Sequence, residues 1–96
     1  MSLTLVIDDR AATEIAEAYD WYLRKSDQAA VNFKNEVTEA FDLLEQDIIV
    51  HVETFRKLRR CPLKISPYYI YQRKENEKII QVVAFLHNKR ANDFIE

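Results

Sequence analysis

The spacing of hydrophobic positions changes along this chain, and each change marks an element. Leu3, Leu5 and Ile7 alternate with Thr4 and Val6, the period of two expected of a short strand. From Arg10 to Lys25 the apolar residues Ala12, Ile15, Ala16, Tyr19, Tyr22 and Leu23 recur at helical spacing, with Glu14, Glu17 and Arg24 off that stripe. Asp8 and Asp9 precede this helix and supply carboxylates for its unpaired N–H groups. Ser26-Asp27 interrupts the pattern and can cap a second helix over 28–47. Its stripe is Ala30, Phe33, Val37, Ala40, Phe41 and Leu44. So short a connection predicts an antiparallel helix hairpin, and the two stripes need a sheet to cover them.

Over 48–54 the helical period fades, and this segment, which includes His51, reads as a connection. Strands are expected over 55–65, 68–74 and 78–87, with Glu75-Asn76-Glu77 as a hairpin turn. Pro62 cannot donate to a ladder, so it marks a bulge or an edge position in the first of these. The last strand is the most apolar and is expected to be central. Strict alternation sends Ile80, Val82, Ala84 and Leu86 toward the helices and Gln81, Val83, Phe85 and His87 away from them. The expected fold is α+β, in the order β-α-α-β-β-β, with a helix hairpin packed on a small, mostly antiparallel sheet. All of 1–96 belongs to one domain.

Composition narrows the classes of function. With 96 residues, 48% hydrophobic and 31% charged, the chain reads as one soluble globular domain. No apolar run approaches the roughly 20 residues that span a bilayer, and the start lacks the pattern of a secretory signal, so a cytoplasmic protein is expected. The single cysteine, Cys61, allows no internal disulfide and fits a reducing compartment. One Cys and the distant His51 and His87 make a poor metal set, and the absence of glycine removes phosphate-cradling loops, so no cofactor is expected.

Charge changes the picture more. Residues 1–53 carry 4 Lys/Arg against 12 Asp/Glu, a net of −8, while 54–96 carry 10 against 4, a net of +6. Either the two halves neutralise each other, or the basic half faces an acidic protein or nucleic acid. Arg56, Lys57, Arg59, Arg60, Lys64, Arg73, Lys89 and Arg90 form the basic set. Arginine forks can hold a scissile phosphodiester, or the acidic face of a protein, or be an ordinary solvated strand face. His87 can act as an acid or base, or simply bond a carbonyl at a strand end. Tyr68, Tyr69 and Tyr71 can stack on bases, or pack the sheet. Cys61 has basic neighbours but no adjacent base, which argues against a catalytic thiol.

The residues Arg59-Arg60, Pro62-Leu63-Lys64, Pro67-Tyr68, Ile70-Tyr71 and the strand end Ala84-Phe85-Leu86-His87 followed by Arg90 resemble the RelE/ParE superfamily of toxins from bacterial toxin–antitoxin modules. The resemblance covers essentially the whole chain. It implies a small toxin, of the plasmid-stabilisation type, neutralised by a cognate antitoxin. Its target is DNA gyrase in the ParE-like case. In the RelE-like case the protein cuts mRNA on the ribosome, and Arg60, Lys64, Arg73, His87 and Arg90 would be the catalytic set. Arg56, Arg59, Arg60, Tyr69 and Arg90 are the expected partner contacts. After Arg90 there is only Ala-Asn-Asp-Phe-Ile-Glu, without a further Tyr or His to transfer a proton, which favours the ParE-like reading. A degenerate homologue that only binds antitoxin is the third possibility.

Overall fold

Ser26 shapes the helical layer. In the computed structural model, which describes residues 3–46, the backbone of 52–53, and 58–90, helix α1 (Asp9–Lys25) and helix α2 (Asp27–Glu45) meet at this single residue. Its extended backbone (φ −172°, ψ 156°) reverses the chain. Its N–H closes α1 on Tyr22 O (3.1 Å), and its Oγ accepts Ala29 N–H (3.0 Å) to cap α2. The expected N-cap role of Asp8 takes another form. Asp8 stands before α1 but makes no side-chain cap bond; its carboxylate accepts from Gln81 Nε2 and pins the helix start to the sheet.

The sheet order is β1-β5-β4-β3-β2, formed by β1 (Thr4–Ile7), β2 (Val52–Glu53), β3 (Arg59–Pro62), β4 (Tyr68–Lys74) and β5 (Ile79–His87). Only β1 and β5 are parallel. The α+β architecture is the expected one, but β5 is an interior strand between β1 and β4 while β4 takes the middle of the sheet, and the connection expected over 48–54 contributes β2, a two-residue strand beside β3. His51 and Arg56 lie outside the described residues. The turn after β4 uses its asparagine side chain rather than an unusual backbone alone: Asn76 Oδ1 accepts Lys78 N–H (2.7 Å) and Ile79 N–H (3.0 Å).

Strict alternation fails once in β5. Tyr71 pairs with Ala84 but Gln72 pairs with Val82, so Val83 is the extra residue of a β-bulge. The bulge reverses the phase beyond it. Phe85 joins Ile80 and Val82 in the core under the helices, whereas Ala84 and Leu86 pack with Tyr71 in a second, smaller cluster on the other face. The expected placement of Ala84, Phe85, Leu86 and His87 is therefore inverted.

The buried stripe of α1 also differs. Ala11 and Ala18 are buried, with Ile15, Tyr19 and Tyr22 packed against the core, while Ala12, Ala16 and Leu23 are exposed. Glu14, expected off the stripe, lies within it, and its Oε1 accepts Phe85 N–H (2.9 Å). The cause is the length of β1. Asp8 N–H to Val82 O is its last link to β5, so the β5 edge beyond it needs another partner. Glu14→Ala leaves that N–H unsatisfied and is expected to cost about 1–3 kcal/mol, while Glu14→Gln retains an acceptor and recovers most of the loss in urea titrations. For α2 the expected stripe holds: Ala30, Phe33, Val37, Ala40 and Leu44 are buried, with Phe41 packed beside them.

Candidate functional site

The described members of the expected basic set are distributed over separate parts of the surface, because consecutive strand residues point to opposite faces. On β3, Cys61 enters the core under the helices, and Arg59 shares its side of the strand. Arg60 points to the other face, where its guanidinium lies 4.5 Å from the centre of the Tyr69 ring. Arg73 sits near the β4–β5 turn and pairs with Glu75 (3.1 Å). It is opposite Gln81, six positions along β5 from His87, which at a strand rise of about 3.3 Å per residue is about 20 Å away. Lys64 is exposed in the β3–β4 loop.

His87 and Arg90 do come together. They line a cavity of about 520 Å³ at the end of β5 with Glu14, Glu17, Trp21, Tyr22, Tyr68 and Phe85. The turn Asn88–Arg90 is tied to the neighbouring loop by Asn88 N–H on Pro67 O (2.9 Å). His87 Nδ1 accepts Lys89 N–H (3.1 Å), so in the neutral ring the proton resides on Nε2. Burial, and then the nearby Tyr22 hydroxyl, push the Tyr68 phenol above its usual range. The ring meets His87 edge-on at 5.3 Å.

A larger groove, about 960 Å³, runs between α2 and the segment from Cys61 to Ser66. Phe33, Ala40, Leu43, Cys61 and Leu63 give it an apolar floor; Glu36, Glu39 and Lys64 stand at its borders. The outer lip is held by one carboxylate: Glu36 accepts Ile65 N–H (2.6 Å) and Ser66 N–H (3.1 Å). Those groups lie in the loop after β3, where the ladder with β4 has ended, so α2 supplies their acceptor. The lip leaves Ile65 88% exposed beside an apolar channel, an arrangement suited to contact with another chain.

Sequence reasoning missed Glu36 and this groove. The available signal was a carboxylate at the border of the α2 stripe, three residues after Phe33 and one before Val37. Cys61, at the floor, is chemically quiet: burial pushes its thiol pKa to about 11. Alkylation by iodoacetamide at pH 8 is therefore expected to be slow in the folded protein and fast in urea, as read by mass spectrometry. Rapid modification without unfolding would contradict this burial.

Among the described residues no group of His, Cys, Asp and Glu has an arrangement that could hold a metal ion, and no helix is long and apolar enough to cross a membrane. The family model described as the ParE toxin of the type II toxin–antitoxin system, parDE, matches residues 5–92. Comparison with curated proteins gives no match. Among solved structures, the chain is similar to one from the chromosomal ParDE toxin–antitoxin system of P. aeruginosa. The TM-score is 0.76 at 19% identity, over 90% of this chain and 96% of that one. That structural likeness concerns the fold.

Proposed function

Because this chain belongs to the ParE toxin family of type II toxin–antitoxin systems, we propose that it acts in the cytoplasm by binding and inhibiting a protein target, with DNA gyrase the target implied by the family, and that an antitoxin neutralises it. The observation that supports inhibition over RNA cleavage is the dispersal of Arg60, Lys64, Arg73 and the His87–Arg90 pair. A phosphodiester has to be gripped and protonated within a few ångströms. Arg60 stacked on Tyr69 provides a cationic and aromatic contact of the kind that anchors protein interfaces. Of the other expected partner contacts, Arg59 lies on the opposite side of β3 and Arg90 in the cavity at the end of β5, so the proposed contact on this face is Arg60 with Tyr69.

The antitoxin segment occupies the groove beside α2. Its apolar floor suits the hydrophobic face of an amphipathic helix. Strand addition along β3 is hindered. Leu63 N–H donates to Tyr68 O (3.0 Å), so the alternate residue Pro62 faces outward, and it has no N–H to offer.

The test is tightly regulated expression followed by pulse labelling of DNA and protein synthesis. A fall in DNA synthesis with intact mRNA is expected. Rapid loss of translation with cuts in ribosome-bound mRNA would overturn this reading, and would assign the chemistry to the cavity where His87 and Arg90 meet.

A further inference from the structure

The cavity at the end of β5 holds donors that the fold leaves unused. Among the described residues Arg90 makes no ion pair or hydrogen bond. His87 Nδ1 is occupied by Lys89 N–H, which leaves Nε2–H as the free donor of the ring. Trp21, Tyr22, Tyr68 and Phe85 supply apolar walls, and Trp21 stands 50% exposed with Tyr22 edge-on to it at 5.0 Å. The two carboxylates that line the cavity from α1 do not satisfy Arg90. Glu14 is engaged by Arg10 Nε (3.2 Å) and Phe85 N–H (2.9 Å), and Glu17 makes no ion pair with Arg90. One guanidinium, one N–H and an aromatic wall suit a single carboxylate carried beside an apolar group. A nucleic acid fits less well, because its run of phosphates would be repelled by Glu17 on the α1 wall.

The cavity also adjoins the groove beside α2. Tyr22 lines both, and Ser66 of the groove precedes Pro67 of the cavity. The stretch between them is fixed in place: Ser66 N–H donates to Glu36 (3.1 Å), Tyr68 N–H to Ser66 O (2.8 Å) and Asn88 N–H to Pro67 O (2.9 Å). A chain that leaves the groove past Ser66 therefore meets a preformed surface leading to Arg90. Taking the groove as the place of the antitoxin, we propose that the cavity is a second antitoxin subsite, which receives one acidic side chain and an apolar neighbour from the chain that continues beyond the groove. The carboxylate bonds Arg90 and His87 Nε2–H, and the apolar neighbour packs on Trp21 and Tyr22. The two sites then divide the work of recognition. Apolar burial in the groove supplies affinity, and the cavity discriminates, because an antitoxin without the acid would cover Arg90 and leave it unpaired.

Trp21 is the only tryptophan, so its fluorescence in the purified chain reports on the cavity. N-acetyl-L-phenylalanine, a carboxylate beside an aromatic ring, is expected to change that fluorescence saturably, and its amide to bind at least about tenfold more weakly. Arg90→Gln, with an unchanged circular dichroism spectrum, should abolish the difference between acid and amide. In calorimetric titration with the cognate antitoxin the same variant is expected to lose at least about tenfold in affinity, by an amount that shrinks as salt is raised. Equal responses to acid and amide, or an acid response that survives Arg90→Gln, would overturn the proposal. So would normal antitoxin affinity of Arg90→Gln alongside a large loss for Leu43→Arg at the groove floor, a result that leaves the groove reading intact. The reverse pattern, loss with Arg90→Gln and normal binding of Leu43→Arg, would remove the groove reading and keep the cavity as an antitoxin contact. A tighter response to a short single-stranded RNA than to the acid would assign the cavity to nucleic acid and overturn the proposal.

Discussion

Phe33→Ala is expected to lower the unfolding free energy by about 3–5 kcal/mol, the cost of removing a fully buried aromatic side chain from a packed core. Phe33 is 3% exposed and touches every layer of the fold. Its ring stacks on Tyr22 of α1 at 4.9 Å and meets Tyr68 of β4 and Phe85 of β5 edge-on at 5.9 and 5.8 Å. Tyr68 and Phe85 are themselves stacked at 4.9 Å. Removing this ring leaves a cavity bounded by both helices and the two central strands, and rigid neighbours on several sides limit collapse. Urea titrations should show a lower midpoint with an unchanged slope. A loss below about 1 kcal/mol would mean that the aromatic cluster rearranges to fill the space. Phe41, only half-buried beside the same core, should be the milder site.

The place of Phe33 in the core was legible in the sequence because α2 keeps its apolar stripe without an intruding charge. The α1 stripe was legible only in part: Ile15, Tyr19 and Tyr22 pack as expected, but Glu14 takes a half-buried position among them for a reason that lies in another element, since β1 stops at Ile7 while β5 continues to His87. No helical pattern records the length of a strand. The inversion along β5 has the same character. Val83 is an ordinary strand residue, and only the register against β4 makes it the bulge that turns Phe85 inward.

The candidate site was legible in composition and misleading in arrangement. Arg59 and Arg60 are adjacent in sequence and point to opposite faces, as a period of two requires. Arg73 is separated from His87 by most of the length of β5. The contrast between the acidic and basic halves also blurs at the groove, where Glu36 and Glu39 from the first half border Lys64 from the second. In sequence Glu36 is only one of the 12 Asp/Glu of the acidic half. Its role follows from the closeness of α2 to a loop whose bonded N–H groups come 29 and 30 residues later in sequence.

Leu43→Arg is expected to weaken binding of the cognate antitoxin by at least about 30-fold, the scale of losing an interface hot spot of about 2 kcal/mol. Leu43 is half-buried at the floor of the groove, and it is not part of the inner core, so the substitution alters the channel more than the fold. The arginine introduces a charge where an apolar helix face would dock, and neither partner can solvate it without opening the contact. Inhibition of the target, on the proposed outer face around Arg60 and Tyr69, should persist, so cells expressing Leu43→Arg would no longer be rescued by the antitoxin. Arg73→Ala, which removes an exposed ion pair at the β4–β5 turn, should change affinity less than about threefold. Calorimetric titration of the three proteins separates the possibilities. If Leu43→Arg binds normally while reversing charge at Arg59 and Arg60 costs 30-fold or more, the antitoxin engages the basic strand, and the groove beside α2 serves another contact.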